Sequence, residues 1–202
     1  MRLQPIIVPG WRNSGPEHWQ SQWEASLPRA VRVAQRDWEA PSRDEWVAAL
    51  AAAIDAANRP ALLIAHSLGC MAVCHLPLPV CEKVAGAMLV APADVERPGA
   101  PDRLRSFAPV TMRSLPFQSV VVASSNDPYC STGRARAFAH AWNSRFELLD
   151  DAGHINAESG YGPWPEGLRM LAALRRRACW RVPVAASRTP PLPAGSAVAG
   201  GH

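Results

Sequence analysis

Long apolar runs are missing from this chain. No stretch approaches the roughly 18 apolar residues that a membrane-spanning helix needs, so none is expected. The opening residues, MRLQPIIVPGW, have neither the extended apolar core nor the small-residue cleavage site of a secretory leader. They enter a strand-like segment directly, and a cytoplasmic location is the expectation. A paired set of cysteines is missing too. The five cysteines, Cys70, Cys74, Cys81, Cys130 and Cys179, are odd in number and fit no zinc-ligand spacing. Cys70 and Cys74 lie four apart on an expected helix and could form a metal pair. Small buried thiols in a reducing compartment are the better reading, and no metal or cofactor is expected.

Acidic residues are absent after residue 168, where six arginines fall: Arg169, Arg175, Arg176, Arg177, Arg181 and Arg188. They account for the formal charge of +4, because the rest of the chain holds 15 basic against 17 acidic residues. The body is therefore near neutral. A nucleic-acid-binding protein more often carries its charge on a folded face, so nucleic acid is not an expected partner.

What remains is a chain of 202 residues, 48% of them apolar, which suits one domain with a full core. Strand-like and helix-like segments alternate. Residues 3–9, 30–34, 61–66, 84–92, 119–125 and 145–150 read as strands. Residues 16–27, 41–58, 67–76, 131–144 and 165–179 read as helices. The helix at 41–58 has the clearest signals: Ser42 as cap, Glu45 three later, and an apolar stripe of Trp46, Leu50 and Ile54. Residues 93–117 read as a long loop with at most one helical turn. The end of the chain is rich in proline, glycine and small residues. It reads as a disordered tail over 180–202, outside a domain at 1–179.

Alternation of this kind implies a mostly or wholly parallel sheet of about six strands with helices on both faces. Ligands of such sheets bind at the carboxyl ends of the strands, where strand order reverses. One serine stands at that kind of position. The segment LLIAHSLGC ends a strand on Ala65-His66-Ser67-Leu68-Gly69, close to the nucleophile-elbow pattern G-x-S-x-G. An elbow brings strand and helix so near each other that the residues two before and two after the serine must be small. Ala65 and Gly69 meet that demand, with Ala65 a mild departure. The alternative is an ordinary helix cap.

A serine hydroxyl needs a base to take its proton, and the base needs an acid to orient it. Of the six histidines, His66 is expected to point elsewhere on its strand. His18 starts a helix, His75 and His140 lie within helices, and His202 is terminal. Only His154, in DDAGHINAES, follows a late strand. The acid should follow the strand before it, and Asp127, in VVVASSNDPYC, does so. Asp94, Asp150 and Asp151 are rivals, and a plain turn aspartate before proline is the competing reading of Asp127. The chain order Ser67, Asp127, His154 suits this fold. An oxyanion hole would use the backbone N–H of Leu68, after the nucleophile, and that of Trp11, in the loop after the first strand, where Gly10 permits close approach.

The stretches PGWRNSGPEHWQSQW, AHSLGC, SSNDPYC and GHINAESGYGPWPEG carry a resemblance across most of residues 5–171. The sequence resembles the small serine hydrolases of the retinoblastoma-binding protein 9 family. That resemblance implies a minimal three-layer α/β-hydrolase domain without a large lid and a triad at Ser67, Asp127 and His154. It leaves the substrate open. The expected activity is cleavage of a small carboxylic ester, with an amide as the less favoured substrate. An acyltransferase on the same residues, or a non-enzymatic protein-interaction module that keeps the fold, are the competing readings.

Overall fold

The computed structural model describes residues 2–180. The strands are β1 (Gln4–Val8), β2 (Val31–Arg32), β3 (Ala61–His66), β4 (Val84–Val90), β5 (Gln118–Ser124) and β6 (Arg145–Leu149). They form one sheet in the order β2-β1-β3-β4-β5-β6, and every neighbouring pair is parallel. The helices are α1 (Trp19–Ser26), α2 (Arg43–Asp55), α3 (Leu68–Cys74), α4 (Leu78–Cys81), α5 (Thr132–Ala141) and α6 (Pro165–Trp180). The short α4 was not anticipated. The tail expected over 180–202 lies outside the described residues, except that the backbone of Trp180 still belongs to α6.

Continuous apolar strands are needed because both faces are covered. Alternate residues of the strands serve opposite layers. Ile6, Val8, Leu63, Ala65, Leu89, Val121 and Ala123 pack with Trp46, Leu50 and Ile54 of α2, Met71 of α3, and Phe138 of α5. Ile7, Leu62, Ile64, Met88, Val90 and Val122 pack with Trp19 and Trp23 of α1 and Leu171 and Leu174 of α6. The result is the three-layer α/β architecture the alternating pattern implies.

Two local details differ from expectation. Ser42 is the residue before α2, but its side chain makes no capping hydrogen bond there. The Ser106 hydroxyl accepts from the Arg43 N–H at 3.2 Å and donates to Pro41 O at 3.3 Å. Glu45 reaches Arg36 instead of turning back to the cap. Tertiary contact with the short 3-10 helix at Asp102–Phe107 thus does the work of the local box. α1 begins at Trp19, three residues later than its sequence pattern, because His18 caps it: its Nδ1 accepts from the Gln20 N–H at 3.1 Å.

The topology fixes where a ligand can sit. From β1 the chain passes outward to β2, and from β3 it proceeds the other way through β4, β5 and β6. The reversal therefore falls between β1 and β3, and the crevice beyond their carboxyl ends is the natural binding site. Val8 pairs with Ala65, so the loop starting at Pro9 and the turn at Ser67 leave the sheet side by side.

Candidate active site

Ser67 joins β3 to α3 with φ 53° and ψ −122°, a conformation that non-glycine residues adopt only when their surroundings enforce it. Close packing does the enforcing. A Cβ on Gly69 would fall 2.4 Å from Val8 O and 2.6 Å from Pro9 O, so α3 can leave the sheet here only because that position is glycine. Ala65 is wholly buried. At Gly69 the small-residue rule read from the sequence thus has a concrete cause, which is the approach of α3 to the end of β1. The Ser67 N–H donates to Val90 O at 3.0 Å, tying the turn to β4.

Of the residues expected to work together, all but Asp127 line one cavity. It has a volume of about 340 Å³ and is lined by Trp11, Ser67, Leu68, Tyr129 and His154, among others. Asp127 and His154 meet directly: His154 Nδ1 stands 3.0 Å and 2.9 Å from the two carboxylate oxygens of Asp127. Both side chains are buried, that of His154 9% exposed and that of Asp127 2%. Asp127 Oδ1 also accepts from the Tyr129 N–H at 2.8 Å, so this residue is a turn aspartate as well as the partner of His154. The Tyr129 ring meets the imidazole edge-on, with centroids 4.6 Å apart. Ser67 shares the cavity wall with His154, and the structure records no hydrogen bond between them. Such contacts are often long before substrate arrives.

The rival acids have other partners, although Asp94 lines the same cavity. Asp94 Oδ1 accepts from the Glu96 N–H and lies 3.4 Å from Arg134 Nε. Asp150 and Asp151 are exposed at the end of β6, and Asp151 accepts from the Ser125 hydroxyl. Leu68 is the first residue of α3, where N–H groups have no carbonyl partner within the helix. In the loop after β1, the N–H of Arg12 is taken by Trp38 O and that of Asn13 by Gly10 O. Among the described residues the Trp11 N–H has no acceptor. A Cβ on Gly10 would come 2.8 Å from Ser67 Cβ and 3.3 Å from Ser67 Oγ, so this loop lies directly against the serine.

His66 corrects the expectation that it points away. It follows Ile64 on the face covered by α1, and its Nε2 lies 2.9 Å from His154 O. Its ring centroid is 4.8 Å from those of His154 and His18, and all three rings line the cavity. Burial holds the pKa of His66 well below its ordinary value, with further lowering from His154 and His18. Burial likewise brings His18 down to about 4, helped by Arg32 and His154. Both rings are neutral near pH 7. A histidine ending a wholly apolar strand must find a polar partner, and that rule could have directed attention to it. Cys70 and Cys74 are buried thiols that donate to Val90 O and Met71 O, and burial pushes Cys74 up to about 12. Among the described residues no group of three or more His, Cys, Asp or Glu is placed to hold a metal ion.

A model of the serine hydrolase family matches residues 5–173. The chain belongs to the serine hydrolase family. It is similar to the crystal structure of a YdeN-like hydrolase from Pectobacterium atrosepticum, with 40% identity and a TM-score of 0.78 over 88% of this chain and 92% of that one. The ydeN gene product of B. subtilis is 20% identical with a TM-score of 0.71, covering 87% of this chain and 100% of that one. The thermophilic esterase Est2 from Thermogutta terrifontis, 17% identical, has a TM-score of 0.65 over 92% of this chain and 85% of that one, and so shares the fold. No curated protein matches. The architecture is the α/β-hydrolase fold, with no large lid among the described residues, and no described helix is long and apolar enough to cross a membrane. In this serine hydrolase Ser67, just after β3, and the loop that follows β1 stand side by side at the switch point of the sheet.

Proposed function

We propose that the protein hydrolyses small carboxylic esters through an acyl-enzyme on Ser67, with His154 as general base and acid and Asp127 as its orienting carboxylate. The observation that carries this reading is the buried Asp127–His154 pair at 2.9 Å, on the wall of the cavity that the strained Ser67 shares. With Nδ1 donating to Asp127, the lone pair of neutral His154 is on Nε2, the nitrogen that takes the serine proton. Ser67 Oγ then bonds to the acyl carbon. The oxyanion accepts from the N–H groups of Leu68 and Trp11. The C–O bond to the alcohol breaks as His154 returns the proton to the leaving oxygen. Water repeats the sequence, giving up a proton to His154 and releasing the carboxylic acid.

A cavity of about 340 Å³ lies at the small end of the range for ligand sites. Short acyl chains are therefore the expected substrates, with esters ahead of amides. The resemblance to the retinoblastoma-binding protein 9 family belongs to this reading, and supports an esterase-like activity without naming a natural substrate. The test is Ser67→Ala with a series of p-nitrophenyl esters from acetate to decanoate, together with fluorophosphonate labelling. Wild type should label at Ser67 and prefer short chains. The variant should be unlabelled, folded and slower by about 10⁴-fold in kcat. Near-wild-type turnover in a folded Ser67→Ala protein would overturn the assignment.

A further inference from the structure

The segment that carries His154 is strained. Asp151, Gly153 and Ile155 have φ of 48°, 55° and 49°, so the chain enters the left-handed region at alternate residues on both sides of the imidazole. Strain of this kind persists only where the surroundings over-determine it. Here they do so through side chains. The N–H groups of Asp151, Ala152, Gly153 and His154 donate in turn to Ser125 Oγ at 2.9 Å, Ser124 Oγ at 3.0 Å, Asn126 Oδ1 at 2.7 Å and Ser159 Oγ at 3.2 Å. These acceptors come from the end of β5 and from the segment itself. They fix how the segment leaves β6, and they say nothing about how far it stands from Ser67.

That distance is governed from the other side. The two carbonyls that follow are held by donors from distant parts of the chain. His66 Nε2 lies 2.9 Å from His154 O, and Trp19 Nε1 donates to Ile155 O at 2.9 Å. A carbonyl can only accept, so His66 Nε2 carries the proton. His66 is the residue before Ser67, and its ring packs edge-on against Trp19 with centroids 6.0 Å apart. One short rigid path therefore joins the serine to the backbone of the histidine. It runs from Ser67 through the side chain of His66 to the carbonyl of His154, and Trp19 braces it from α1. All three rings are buried.

We infer that His66 and Trp19 are positioning residues, a paired clamp that sets the approach of His154 to Ser67 and so the rate of the acyl-transfer steps. The inference rests on the reading of Ser67 and His154 as nucleophile and base. His66 is not itself a proton acceptor for the serine in this scheme: its protonated nitrogen faces a carbonyl. Its contribution is geometric, and a misplacement of about 1 Å at a reacting centre can cost roughly 10²-fold.

The decisive comparison is His66→Gln against His66→Met. The two replacements have similar length, and glutamine alone keeps an N–H donor at the reach of Nε2. Trp19→Phe, which keeps a ring and removes the donor, is measured beside them, with His154→Ala as reference. Thermal melting shows that each variant is folded, and kcat, KM and the rate of fluorophosphonate labelling are recorded on a short ester. His66→Met and Trp19→Phe should lose roughly 10- to 100-fold in kcat with KM little changed. Labelling should slow in parallel, and His66→Gln should recover most of the loss. A folded His66→Met protein within about threefold of wild-type kcat would overturn the inference, and so would a His66→Gln protein as slow as His66→Met. If His66→Met does not fold, Trp19→Phe decides by the same criterion. His154→Ala separates the two levels: an inert His154→Ala beside an active His66→Met refutes the clamp alone, whereas an active His154→Ala removes the base assignment on which the clamp stands.

Discussion

Replacing Gly10 by alanine tests how tightly the loop after β1 is set against the serine. Gly10 is not forced into a left-handed conformation, so the effect is one of space alone. The added methyl would meet Ser67 Cβ at 2.8 Å, His66 O at 3.1 Å and Ser67 Oγ at 3.3 Å. Carbon atoms in contact sit at about 3.5–4.0 Å, so loop and elbow must separate by roughly 0.7 Å or more. The elbow has little room to yield, since Gly69 behind it already abuts Val8 O and Pro9 O. The loop therefore moves, and Trp11, the next residue, moves with it. A donor displaced by this much from a developing oxyanion should cost about 10²-fold in kcat. The cost in stability should be nearer 1–2 kcal/mol, at the low end for overpacking because a loop can shift. In a chain of this size that corresponds to a fall of roughly 2–8 °C in Tm. Gly133→Ala is the control: it lies in α5, nothing stands within 4 Å of its new methyl, and it should keep full activity with equal or higher Tm. The assay is kcat on a short p-nitrophenyl ester beside a thermal melt. Gly10→Ala at wild-type kcat and Tm would refute the close approach, and with it the place of Trp11 in an oxyanion hole.

Two further outcomes follow from the same geometry. Asp127→Asn should lower kcat by about 10⁴-fold, because an amide can hold the wrong imidazole tautomer and cannot stabilise the imidazolium, whereas Asp94→Asn and Asp151→Asn should cost far less; a larger loss at Asp151 would reassign the acid. Stability should fall as pH drops from 6.5 towards 4, because the unfolded chain protonates His18 at its ordinary value of 6.5 and the folded chain only near 4. The stabilisation is thus complete above 6.5, and its loss through that window amounts to about 3 kcal/mol at most, with His66 adding in the same direction. Urea titrations at pH 7.5 and 4.5 measure it, His18→Asn should reduce the difference and leave the share of His66, and equal midpoints for the wild type would contradict the burial argument.

The order of strands and helices was legible because a parallel sheet covered on both faces demands continuous apolar runs in its inner strands, and β1, β3, β4 and β5 supply them. The elbow was legible for a different reason. Gly69 is glycine because α3 crosses the end of β1, and that crossing leaves its mark two residues from Ser67. Asp127 and His154 could be picked out because their positions follow from which strand each one ends. None of this logic reaches His66 or Trp19. Their partners are backbone carbonyls, which have no letter in the sequence, and the bonds span 88 and 136 residues. The same holds for Ser106, which takes over the cap of α2 from 63 residues away. Local patterns announce themselves where a side chain serves its own segment. They fall silent where a side chain serves the backbone of another, and the strained turn around His154 is held in place largely by contacts of that second kind.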